Sequence, residues 1–164
     1  MSLNLAIMLR ESRDAEPDKP LCVIGDLSFT YAQVDEISGR VAASLLGLGL
    51  ERGDRVAVQL PNLPQFLFTY FGILKAGLVM VPLNPLLRAP EIAFHLEDSG
   101  ARVLVTFQAF ADEAVTAWVV PDPPARAAAM RTMVEASLPA TLEAGALVGA
   151  VTPVGDAIGA SIWT

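Results

Sequence analysis

Few residues in this chain have the types and spacing that chemistry needs. The glycines of Gly47-Leu48-Gly49-Leu50-Glu51-Arg52-Gly53 come near the dinucleotide pattern Gly-x-Gly-x-x-Gly, but the third arrives one residue late. They also follow a helical pattern, whereas cradling a pyrophosphate needs a strand before the glycines and a helix after them. The run reads as a helix stop and a turn. His95 is the sole histidine, in a short helical stretch beside Leu96 and Glu97. Without a second ligand or base it reads as a surface residue. Asp35 and Glu36 are adjacent on a helix, so their carboxylates point apart and cannot share a proton. Asp98, after Glu97, reads as a solvated helix end. No Gly-x-x-x-x-Gly-Lys-Ser/Thr loop occurs, and no Ser-His-Asp arrangement can be drawn. The residues alone assign no catalytic group and no metal site.

Composition narrows the classes further. With 164 residues, 53% of them apolar, the chain is long enough for one domain with its own core. Its net charge is −7 and its eleven Lys and Arg are scattered. Binding nucleic acid requires clustered cations to displace counterions, so such a partner is excluded. The lone cysteine, Cys22, cannot form an internal disulfide. In the apolar run Leu21-Cys22-Val23-Ile24 it reads as a small buried hydrophobe. A chain with no disulfide framework and no signal peptide fits the cytoplasm. Residues 63–83 are long enough to cross a bilayer, with Lys75 their one charge. Gly77, however, breaks the helical pattern, and Leu78-Val79-Met80-Val81 has the look of a buried strand closed by Pro82. A helix followed by a strand accounts for the segment better than a membrane span. Peripheral membrane contact stays open.

The elements that must position any site can be placed from periodicity and punctuation. Asn4 is an N-cap for a short helix with Leu5, Met8 and Leu9 on one face. Residues 21–24 and 27–30, joined by Gly25-Asp26, predict a β-hairpin with Gly25 at positive φ. Thr30-Tyr31-Ala32-Gln33 forms a capping box. The helix it opens buries Val34, Ile37, Val41 and Leu45 as one stripe, and Gly47 and Gly49 stop it. Strands over 56–60, 79–83 and 103–106 then alternate with helices. Asn62-Leu63-Pro64-Gln65 caps the first of these helices, which ends at Gly77. Pro90 sits in the first turn of the second, and Gly100 terminates it. The fold class is α/β, a mostly parallel sheet with flanking helices and an N-terminal β-hairpin. Later, Trp118-Val119-Val120 predicts a strand and 125–137 a helix; 139–153 reads as an irregular connection. Residues 157–164, Ala-Ile-Gly-Ala-Ser-Ile-Trp-Thr, read as a buried strand.

These strand–helix units carry a specific resemblance. Ser28-Phe29-Thr30-Tyr31-Ala32-Gln33-Val34, Gly53-Asp54-Arg55-Val56-Ala57-Val58 and Leu60-Pro61-Asn62 are in order and spacing similar to the start of AMP-forming acyl-CoA synthetases. These belong to the adenylating-enzyme superfamily. Leu74-Lys75-Ala76-Gly77-Leu78-Val79-Met80-Val81-Pro82-Leu83-Asn84-Pro85 is the strongest match. Glu91-Ile92 with Leu96-Glu97-Asp98-Ser99-Gly100-Ala101 completes the series. Resemblance is strong over residues 5–110 and faint over 111–156. It implies two parts: 1–110, the N-terminal part of an AMP-binding domain, and 111–164, a connecting segment and a strand leading to the phosphate loop.

The resemblance implies a reaction as well. Members of the family use ATP and Mg²⁺ to turn a carboxylate into an acyl-adenylate, then pass the acyl group to coenzyme A. The Met/Leu/Phe-rich opening and Asn84-Pro85 look more like fatty acyl-CoA synthetases, so a fatty acid is the implied substrate. Ile162-Trp163-Thr164 resembles the strand that enters the family's phosphate loop, which makes Thr164 the one candidate nucleotide-binding residue, as the first of that loop. The loop, the adenine and ribose contacts and the catalytic lysine would lie beyond it. The expectation is therefore a truncated ligase piece, inactive alone and binding none of these cofactors by itself. A non-catalytic module that docks a partner chain carrying the rest of the enzyme is the alternative, and a small nucleotide-binding α/β protein a weaker third. A terminal strand left at a sheet edge would be an aggregation hazard, so the isolated chain is expected to be poorly soluble or to need a partner.

Overall fold

A computed structural model describes residues 4–107, 146–151 and 157–163, with side chains over 4–107. Its elements are α1 (Ala6–Ala15), β1 (Pro20–Ile24), β2 (Leu27–Thr30), α2 (Tyr31–Gly47), β3 (Arg55–Gln59), α3 (Pro64–Lys75), β4 (Val79–Pro82), α4 (Ala89–Ser99), β5 (Val103–Thr106), β6 (Ala146–Val151) and β7 (Ala157–Trp163). They fall into two compact units, one of residues 1–53 and 62–80, the other of 54–61 and 81–164.

The first unit holds α1, the hairpin, α2 and α3. The Thr30 hydroxyl accepts from the Gln33 amide at 3.3 Å, and Gln33 Oε1 accepts from the Thr30 amide at 2.9 Å. The expected capping box is thus present and starts α2. Val34, Ile37, Val41 and Leu45 are all buried, as their spacing requires. The helix runs through Gly47, and Gly49, at φ +77°, is the residue that turns the chain away. Packing against α3 is close: a Cβ on Gly72 would lie 2.6 Å from Val41 Cβ. Gly77, at φ +73°, ends α3 in a conformation that a Cβ disfavours. Residues 63–83 are therefore a helix and a strand, and no helix among the described residues is long and apolar enough to cross a membrane.

Several local expectations need correction. The N-cap of α1 is Leu5, with no side-chain hydrogen bond; Asn4, one residue earlier, accepts from the Ala6 amide at 2.9 Å, and of the expected α1 face only Leu9 is buried. Leu5 and Met8 are exposed, since this ten-residue helix meets the core of its unit along a narrow line. Asn62 does not cap α3. The N-cap is Leu63, with no side-chain hydrogen bond, and Pro64 follows it. Proline has no N–H to satisfy, so one orphan donor is missing from the start. Cys22 is half-buried instead of buried, because the far end of the hairpin stands in solvent: Val23, Ile24 and Leu27 are exposed. Gly25 has φ +56°, as a two-residue turn requires.

The second unit holds β3 and β5, the centre and one side of a three-stranded sheet of order β4-β3-β5, and the last two residues of β4. β3 and β5 run parallel in the register Val56↔Val103 to Gln59↔Thr106. Both are buried along both faces apart from Arg55, the pattern of a covered parallel sheet. One face carries Ala57 and Leu104, which pack with Ile92 and Leu96 of α4 and with Leu83 and Ala101. β4 is only half-buried, not the buried strand its composition predicts, because it lies at the sheet edge. Pro82, which cannot donate to a ladder, is tolerated there. Pro90 lies in the first turn of α4, and Gly100, at φ +63°, ends the helix. β6 and β7 pair antiparallel, Ala146↔Trp163 through Val151↔Ala157. Part of 139–153 is thus a strand and not an irregular connection, and β7 has a partner along one edge. The strand and helix expected over 118–137 lie outside the described residues.

Candidate functional site

In open parallel α/β sheets, ligands bind beyond the carboxyl ends of the strands. Here that edge is formed by Gln59, the last residue of β3, and Thr106, the last of β5, paired across the ladder. Both are buried, at 1% and 4% exposure, in strands otherwise apolar over the buried stretch. The Thr106 hydroxyl donates to Gln59 Oε1 at 3.1 Å. Gln59 Nε2 donates to the carbonyls of Pro85 and Leu87, both at 3.4 Å. The loop over 83–88 is further fixed by Leu83 N donating to Val58 O at 2.9 Å and Leu86 N to Asn84 Oδ1 at 2.9 Å. The Gln59 amide therefore ties the loop after β4 to the ends of two strands.

This arrangement does not fit a triphosphate. Gln59 spends both N–H groups and its oxygen within the protein, and the Thr106 hydroxyl spends its proton on Gln59. Holding phosphates requires donors aimed outward, as in a glycine-rich loop or a helix N-terminus. The cations in ion pairs face carboxylates: Arg102 bonds Asp54, Arg40 bonds Glu36, and Lys19 bonds Glu16. Among the described residues, no group of three or more His, Cys, Asp or Glu could hold a metal ion. No reaction step is therefore derived through ATP or Mg²⁺ at this sheet edge.

A second polar cluster lies within the first unit. Asp35 of α2 accepts from Lys75 Nζ of α3 and from Arg13 of α1, each at 2.6 Å. Burial pushes the Asp35 carboxyl up, but the hydrogen bonds and charges of Lys75 and then Arg13 outweigh it and hold it below the usual carboxylate range. One carboxylate therefore joins three helices. Glu36 instead pairs with Arg40 one turn on, so the two adjacent acids do point apart.

The sequence-derived candidates are scattered. Thr164 lies outside the described residues, directly after β7. His95 is half-buried, with its ring 5.7 Å from that of Phe94. Gly47, Gly49 and Gly53 lie at the end of a helix and in the turn after it, with nothing of a phosphate cradle. Sequence reasoning missed Gln59 and Thr106. The available signal was a polar residue closing each of two apolar strands, a position where burial demands a partner.

The protein-family model described as "AMP-binding enzyme" matches residues 9–152. The chain belongs to that family. It is 39% identical over 104 residues to the long-chain-fatty-acid–CoA ligase FadD13 of Mycobacterium tuberculosis, covering 62% of this chain and 21% of that protein. It is 40% identical over 109 residues to a long-chain-fatty-acid–CoA ligase of Escherichia coli, covering 66% and 19%. Among solved structures, the N-terminal domain of FACL13 from M. tuberculosis superposes with a TM-score of 0.67 at 36% identity, over 76% of this chain and 32% of that one. The chain spans about a fifth of the length of the curated relatives it matches.

Proposed function

We propose that these residues are the N-terminal scaffold of an ATP-dependent, AMP-forming fatty acyl-CoA ligase, and that the 164 residues alone do not catalyse the reaction. The observation that carries the reading is the identity of about two-fifths to two long-chain-fatty-acid–CoA ligases over 104 and 109 residues. The saturated Gln59–Thr106 pair supports the second half, since the sheet edge keeps its polar groups for itself. On this reading 1–110 is the first part of the AMP-binding domain, and 111–164 connects it to the phosphate loop, with Thr164 as that loop's first residue. ATP, Mg²⁺, coenzyme A and a fatty acid are then ligands of the whole enzyme, which works in the cytoplasm with contact at membrane surfaces where fatty acids partition.

A second reading is that the chain docks a separately encoded partner that carries the rest. About two-thirds of the N-terminal domain it resembles lies outside the matched part, which leaves room for such a partner.

ATP–pyrophosphate exchange tests the first reading. The purified chain with Mg²⁺ and a panel of fatty acids is expected to give no exchange above background. Measurable, acid-dependent exchange would refute it. Co-purification with a chain holding the remainder of an adenylating enzyme would favour the second reading, and its failure would leave the first alone.

A further inference from the structure

We draw no further inference here: the strongest candidate, the exposed apolar end of the β1–β2 hairpin at Val23, Ile24 and Leu27, is an unpartnered face, and nothing in the structure shows what covers it.

Discussion

At the scale of single residues, the buried polar groups act on the protein itself. Asp35 shows this through its pH dependence. Its carboxyl is held below the ordinary range in the folded chain, so the unfolded chain binds the proton more readily. The stability this confers is fully present above the unfolded value of about 4 and is lost as pH falls through the lower folded value. Asp35→Asn should therefore cost about 2 kcal/mol in urea unfolding at pH 7 and flatten the acid limb below about pH 4. An unchanged acid limb would show that the Lys75 and Arg13 bonds do not persist in solution. Gln59 gives a second case. Replacing it with Leu leaves the Thr106 hydroxyl buried without its acceptor and two loop carbonyls without their donor. A loss of about 1–3 kcal/mol is expected, with faster amide exchange over 83–88. Unaltered exchange there would mean that the amide does not hold the loop.

At the scale of elements, steric fit between helices decides more than propensity. Alanine is the better helix former by about 1 kcal/mol, so Gly72→Ala would stabilise an isolated α3. In the folded chain the new methyl meets Val41 Cβ and Cγ1 at 2.6 Å and Ser38 O at 3.1 Å, and a valine fixed on a helix cannot swing aside. Overpacking of this kind typically costs 1–3 kcal/mol, so a net loss is expected on thermal unfolding. A gain would contradict the α2–α3 packing. This contact was invisible in the sequence, because nothing along the chain marks which glycine meets which valine. Elements with local signals were legible: the Thr30–Gln33 box, the four-residue stripe of α2, Gly77 and Gly100 as stops, and β5 at its observed bounds. The errors share a cause. Cys22, Met8 and β4 look buried by composition, but each sits where its element leaves the core or forms an edge, and that depends on tertiary neighbours. The Gln59–Thr106 pair needed the strand register, which joins residues 47 positions apart.

At the scale of the whole molecule, family membership and chemistry separate. The motifs that identify the family close strands and stop helices; Gly77 and Pro82 serve backbone geometry. That is why kinship was readable while a site was not: the resemblance rests on residues that shape the backbone. At the sheet edge the described polar atoms of Gln59 and Thr106 bond within the protein. The most direct measurement is calorimetric titration of the purified 164-residue chain with ATP, with and without Mg²⁺. No saturable heat is predicted in either case. Tight, magnesium-dependent binding by this chain with nothing added would contradict the account.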